Sequence, residues 1–154
     1  MLVGVLIAVL VVLTGGGLLS WHRRAAASGR RTEGSLGDKQ RAFYGGVMTR
    51  GVTTSGSLVR LDFFTEGIRL HGTIWSRWIV PLWEARYDEL AIGELVATPY
   101  SRIAVWFRLR DGGGGIGFLS SYGEEILRQL EKHGVPVNRS VQRIKRAADL
   151  DAPS

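Results

Sequence analysis

Hydrophobic and polar positions follow three different patterns along this chain, and the first is an unbroken apolar run. Residues 2–21 contain no charged side chain, and His22, Arg23 and Arg24 follow directly. A helix of about twenty residues rises roughly 30 Å, which matches the hydrocarbon core of a bilayer. The pattern predicts an uncleaved transmembrane anchor over residues 1–21, because no basic residue precedes the apolar run as it does in a cleavable signal.

The second pattern is a series of short β-type runs in which apolar and polar residues alternate. Turn residues separate these runs, among them Thr65-Glu66-Gly67 and the glycines that follow Asp111. Such spacing is typical of a small antiparallel barrel or sandwich. The predicted strands are 57–64, 68–72, 78–80, 92–97, 103–110 and 116–119, with a further one near 46–53.

The third pattern is helical and occurs once the strands have ended. Ile126, Leu127 and Leu130 share one face, and Ser121 and Glu124 have the spacing of a capping box. Gly134 has the position of a residue that ends a helix. We therefore expect a mainly β fold (α+β), with an N-terminal transmembrane helix and a small antiparallel sheet capped by a helix over 121–133.

These patterns divide the chain into four parts. Residues 22–45 lack apolar periodicity and are rich in Arg, Ala, Gly and Ser, so they predict a flexible basic juxtamembrane linker. Residues 46–138 form the expected domain. Residues 139–154 are predicted to be a basic tail, with a possible short helix from Ser140 to Leu150.

The net charge of +6 lies outside the predicted domain. Residues 22–57 contribute +5, residues 58–138 contribute −1 and residues 139–154 contribute +2. Because nucleic-acid binding usually requires a basic face on the domain itself, we expect no nucleic-acid partner. The absence of cysteine excludes disulfides and thiolate metal sites.

The basic flank predicts the orientation of the chain in the plasma membrane. Arginines close to one end of a span favour the cytoplasmic side, which would place the N-terminus outside and the domain in the cytoplasm. The same side chains are candidates for contact with anionic lipid headgroups, although they could serve only to set the topology. The predicted membrane-surface contacts are Trp21, Arg23, Arg24, Arg30 and Arg31.

Two features of the sequence are informative together: the order of the predicted elements, which is several short strands and then one helix, and three sequence segments. These segments are LVRLDFFTEGIRLHG, VPLWEARYDEL and IAVWFRLRDGGGGIGFLSSYGEEILRQLEKHGVPV. Together they make residues 46–138 resemble bacterial pleckstrin-homology-like (PH-like) domains with a single N-terminal anchor. The resemblance implies a non-catalytic module that binds a protein segment or lies against a membrane. It thus implies a binding or scaffolding role at the inner face of the membrane.

An exposed surface for a protein partner is predicted at Trp75, Arg77 and Trp78. The two tryptophans cannot both face the core of a simple strand, and aromatic residues with arginine are typical of interfaces. A bulge that buries both tryptophans is the alternative.

No group of residues predicts catalysis, a cofactor or a metal. Glu84, Asp88 and Glu89 are the first candidates if the chain is an enzyme, but no nucleophile is near them in sequence, and a structural role is expected for this segment. The histidines, His22, His71 and His133, lack metal-site spacing. An accessory subunit of a larger membrane complex, held by the span itself, is the main alternative function.

Overall fold

The computed structural model describes residues 30–49, 53–54, 56–74, 76–77, 80, 82–98 and 102–143. These residues form a mainly β structure with one sheet and one α-helix. No helix among them is long and apolar enough to cross a membrane. The predicted anchor over residues 1–21 lies outside the described residues, as do residues 22–29 of the predicted linker and the last residues of the tail.

Eight strands and one helix are present in the described part of the chain. The strands are β1 (Lys39–Met48), β2 (Val59–Phe64), β3 (Gly67–Gly72), β4 (Trp83–Arg86), β5 (Leu90–Ala97), β6 (Ile103–Leu109), β7 (Gly115–Leu119) and β8 (Val137–Arg143), and the helix is α1 (Gly123–Lys132). A 3-10 turn (Tyr87–Glu89) joins β4 to β5. The predicted strands at 57–64, 68–72, 92–97, 103–110 and 116–119 are confirmed to within a few residues, whereas most of 78–80 lies outside the described residues.

The strands form one sheet in the order β4-β3-β2-β1-β7-β6-β5-β8. All neighbours are antiparallel except β5 and β8, which are parallel. The first part of β1 pairs with β2 and its last three residues pair with β7, so β1 belongs to both halves of the sheet.

The two halves enclose a single main core. Trp83 on β4 and Phe107 on β6, which belong to opposite halves, have ring centroids 6.2 Å apart. The apolar face of α1, formed by Ile126, Leu127 and Leu130, completes this core. Burial of these side chains is the main favourable contribution to folding.

The linker predicted over 22–45 is wrong for its second half. β1 begins at Lys39, and the preceding residues bind the sheet through their main chain. The Arg30 N–H donates to Leu82 O (3.0 Å), and the Glu66 N–H donates to Leu36 O (3.0 Å). Backbone hydrogen bonds need no apolar periodicity, and for this reason the sequence pattern did not reveal them.

The structure of the described part of residues 139–154 also differs from the predicted tail. Residues 137–143 form β8, so a helix beginning at Ser140 is wrong for the part of 140–150 that the structure describes. The residues of β8 from Arg139 onward are exposed, and a strand at the edge of a sheet has no need of alternating apolar residues.

The helix begins one residue later than its capping pattern, with Ser121 as the N-cap residue, predicts. The N-cap residue is Tyr122, and it makes no side-chain capping hydrogen bond. The Ser120 hydroxyl instead accepts a hydrogen bond from the Tyr122 N–H at 3.2 Å. The other end is as predicted, with Gly134 at φ +77° directly after the last turn.

Candidate binding groove

The strands β2 and β3 present two chemically different faces. Leu61, Phe63, Ile68 and Leu70 point inward and are fully buried. Because successive side chains alternate between the faces of a strand, the residues between them point outward. The outward residues form the cross-strand pairs Arg60–His71 and Asp62–Arg69.

A buried carboxylate organises this outer face. Asp62 is only 4% exposed and lies 2.7 Å from Arg60 Nε, 2.9 Å from Lys39 Nζ and 3.1 Å from His71 Nε2. The hydrogen bond to Asp62 raises the pKa of His71 above its usual value, although burial acts in the opposite direction. Three donors therefore satisfy a charge that would be costly to bury alone.

A second ion pair lies beside the first. Arg69 Nε donates to Glu84 Oε1 at 2.6 Å, and the Arg69 guanidinium lies 5.0 Å from the centre of the Phe64 ring. Arg60 has a similar position over the half-exposed ring of Tyr44, at 5.8 Å. Both arginines thus combine an ion pair with an aromatic contact, which fixes their planes.

Two adjoining pockets form a groove along this face. The pockets have volumes of about 540 and 570 Å³ and share His71 and Leu82 as a common wall. Ile74 and Arg77 line the first pocket, together with Tyr44 and Arg60. Arg31, Thr32, Arg69 and Glu84 line the second. We call the two pockets together the outer groove.

The outer groove carries an excess of positive charge. Arg31 and Arg77 are exposed, and neither has an ion-pair partner among the described residues. The other cations around the groove are neutralised in part by Asp62 and Glu84. Of the cations that line the groove in the described part of the chain, Arg31 and Arg77 are therefore the two without an ion pair, one in each pocket.

A close backbone contact places Arg77 in the groove. After β3, the Arg77 N–H and the Ser76 N–H both donate to Thr73 O, at 2.9 and 3.0 Å. The resulting turn is anchored by the buried hydroxyl of Ser76, which donates to Leu58 O. The turn brings the Arg77 backbone against Gly72, where a Cβ atom would lie 2.6 Å from Arg77 Cα.

The structure brings together residues from both predicted surfaces. Arg77, predicted as part of a protein interface, and Arg31, predicted as a membrane contact, border the same groove. Trp75 and Trp78 lie outside the described residues, as do Trp21, Arg23 and Arg24. No spacing in the sequence relates Arg31 to Arg77. Arg31 is placed by the main-chain hydrogen bonds of Arg30 with Leu82 and Glu84, and Arg77 by the turn that follows β3.

Arg30 differs from its neighbour Arg31. Its guanidinium lies 2.7 Å from Glu89 Oε1 and 2.9 Å from Asp111 Oδ2, and its side chain is partly buried. The hydrogen bond to Asp111, with a smaller contribution from Glu89, raises the Arg30 pKa. These contacts attach the segment that precedes β1 to the turns after β4 and β6.

The three carboxylates considered for catalysis are separated by their contacts. Glu84 pairs with Arg69 in the groove, and Asp88 is exposed, 3.7 Å from Arg86. Burial tends to raise the pKa of Glu89, but hydrogen bonds from the Arg86 N–H, Arg30 and Thr32 outweigh it, and the pKa is lowered. Trp83 and Tyr87, which belong to the same segment, pack on the core.

The two described histidines lie in different places. His71 faces the outer groove, and His133 stacks on Tyr87 with ring centroids 4.1 Å apart. Within the described ranges, no group of three or more histidine or acidic side chains is placed to hold a metal ion.

A third pocket, of about 580 Å³, lies between α1 and the strands β5–β8. Its lining includes apolar Leu95, Ile103 and Val141 and the cations Arg102 and Arg139. Arg139 already pairs with Glu131 at 2.9 Å. This pocket therefore offers less free charge than the outer groove.

Comparison with known proteins adds no further constraint. No protein-family model matches this sequence, and no curated protein matches it significantly. The assignment of a function therefore depends on the residues described above.

Proposed function

We propose that this chain is a non-catalytic binding and scaffolding module, anchored by a single span in the plasma membrane and bearing its domain on the cytoplasmic side. Its recognition surface is the outer groove, and its partner is a protein with negative charge. The observation that carries this proposal is the pair of guanidinium groups, Arg31 and Arg77, which have no ion-pair partner among the residues that the structure describes and lie on either side of one shared wall.

Several observations support a PH-like domain as the basis of this function. Seven consecutive strands pair only in antiparallel fashion, and one helix with an apolar face follows them. β1 contributes to both halves of the sheet. This arrangement agrees with the resemblance of residues 46–138 to PH-like domains, and it leaves the outer face of β2 and β3 open to a partner.

The distance along the chain supports a role at the membrane surface. Only ten residues lead from Trp21, at the predicted end of the span, to Arg31 in the groove. An extended chain covers at most about 3.3–3.6 Å per residue, so Arg31 lies within about 36 Å of the membrane boundary. A partner bound in the groove would therefore be held close to the bilayer.

The first experiment is crosslinking in intact membranes, followed by purification of the full-length protein in mild detergent. We expect a partner that the wild type retains and that the double variant Arg31→Glu/Arg77→Glu loses. The double variant Arg102→Glu/Arg128→Glu makes the same change in charge on exposed sites outside the groove and should retain the partner. Equal recovery with both variants would contradict the proposal.

Two further measurements test the anchor and its orientation. Replacement of residues 1–21 by an unrelated span should leave the partner bound, whereas its loss would favour an accessory subunit recognised through its native span. Protease added to spheroplasts should leave the domain intact, and its digestion from outside would contradict a cytoplasmic location.

A further inference from the structure

We infer that the partner of the outer groove is an extended protein segment in which carboxylate and apolar side chains alternate. This inference rests on the proposed function and specifies its ligand. The identity of the ligand is inferred from the distribution of charge and apolar surface along the groove, and not from the total charge of the groove.

The free cations do not converge on one point. Arg31 lines one pocket and Arg77 lines the other, with His71 and Leu82 between them. A single phosphate or lipid headgroup is bound best where several donors point at the same few oxygen atoms. Separated guanidinium groups instead suit separate carboxylates, each of which can be held by two parallel hydrogen bonds.

The charges of the remaining arginines of the groove are already offset by neighbouring carboxylates, so these arginines add little net positive charge to a convergent site. Arg60 is bound to Asp62 and Arg69 to Glu84, both through Nε at 2.7 Å or less. Both carboxylates are more than nine-tenths buried. A polyanionic headgroup placed beside them would be repelled by Asp62 and Glu84, whereas a segment with spaced charges can avoid them.

The groove also offers apolar contact between its charges. Ile74 is 79% exposed at the edge of the first pocket, and Leu82 forms part of the wall shared by both pockets. Burial of an exposed apolar side chain of this size against a partner favours binding. Side chains on one face of an extended segment recur about every 6.6 Å, which allows an apolar residue to lie between two acidic ones.

The test is photocrosslinking from both pockets of the full-length protein in its own membranes. Benzoylphenylalanine is incorporated in place of Ile74 in one sample and in place of Thr32 in the other. Tyr122, which is 57% exposed and lies at the start of α1, serves as the control position. The adducts are digested and identified by mass spectrometry.

We expect Ile74 and Thr32 to label the same peptide segment, at sites a few residues apart, with acidic residues beside each labelled position. The yield should fall at least tenfold in the Arg31→Glu/Arg77→Glu background and should stay unchanged with Arg102→Glu/Arg128→Glu. The control position should not label that segment.

Other outcomes overturn the inference. Adducts with lipid alone would show a headgroup site, and labelling of a segment without carboxylates would show that charge does not select the partner. Absence of any adduct at both positions would also contradict an occupied groove. If a purified partner still depends on Arg31 and Arg77 in these cases, the proposed function stands and only the ligand assignment fails.

Discussion

The backbone of Arg77 lies directly over Gly72, and a Cβ atom on Gly72 would come within 2.6 Å of both the N and Cα atoms of Arg77. Real Cβ atoms are essentially never found so close to backbone atoms. The absence of a side chain at one residue therefore determines where the free guanidinium group of another can lie. A structural requirement of β3 thus becomes a requirement of the outer groove.

This contact predicts that Gly72→Ala disturbs the groove. The Arg77 turn must move, and we expect the free energy of unfolding to fall by about 1–3 kcal/mol, as in other overpacked sites. Partner recovery should fall as well. Both quantities should be measured on the full-length Gly72→Ala protein in detergent. The control is Gly113→Ala, where the added Cβ would meet only the flexible carboxylate of Asp111. Equal stability of the two variants would show that the Arg77 turn adapts freely.

A second prediction separates two adjacent arginines. Arg30→Met removes ion pairs with Glu89 and Asp111 and should lower stability by about 1 kcal/mol, a modest effect because these contacts are partly exposed to solvent. Arg31→Met removes a cation without a described partner, so it should weaken partner binding and leave stability unchanged. Thermal unfolding and crosslinking of both variants measure the two effects, and the reverse assignment would contradict the geometry.

The sequence predicts the inner face of the fold better than its edges. The alternation in β2 and β3 is visible because each strand directs one set of apolar side chains into the core and carries polar residues between them. β6 is visible for another reason, a nearly continuous apolar run, because both of its faces are buried. β8 has no such pattern because it is an edge strand whose side chains are mostly exposed. The early start of β1 is hidden for a related reason, since the residues from Lys39 to Arg41 are exposed and polar.

The outer groove itself was not predictable from spacing. Arg31, Arg60 and Arg77 come from three separate segments, and each resembles an ordinary surface arginine in the sequence. They become a surface through the register of β2 and β3 and through the return of the chain at Gly72. The sequence could identify Arg77 as a candidate contact, but it could not identify its neighbours.

A third prediction concerns the dependence of stability on pH. The pKa of His71 is raised above 6.5, chiefly by its hydrogen bond to Asp62, while burial and the nearby Arg60 act to lower it. The folded state therefore binds the His71 proton more strongly than the unfolded state. The resulting stabilisation is fully present below about pH 6.5 and is lost as the pH rises through the folded pKa.

The His71→Asn variant isolates this contribution. His133 has the opposite behaviour. Its pKa is lowered by burial and, to a smaller extent, by Lys132, so the folded state binds this proton less strongly than the unfolded state and loses stability as the pH falls. The wild type therefore combines two opposing effects. Relative to the wild type, His71→Asn should lose more stability at pH 5.5 than at pH 8, measured by chemical denaturation. A constant difference across that range would contradict the pairing with Asp62.

The last prediction concerns Asp62, whose carboxylate balances Lys39, Arg60 and His71 at one buried point. Asp62→Asn keeps the shape but removes the charge and replaces one of the two acceptor oxygens by an NH2 group, so the three donors lose their common negative partner. Because the partners are partly exposed, we expect a loss of about 2 kcal/mol in the free energy of unfolding. The pKa of His71, followed by the NMR shift of its ring protons, should fall because its main cause is gone and Arg60 remains. Asp88→Asn, on a carboxylate that is 78% exposed, is the matched control and should change neither quantity. A His71 pKa that stays raised in Asp62→Asn would mean that another group binds the imidazole, and the network around Asp62 would need to be reassigned.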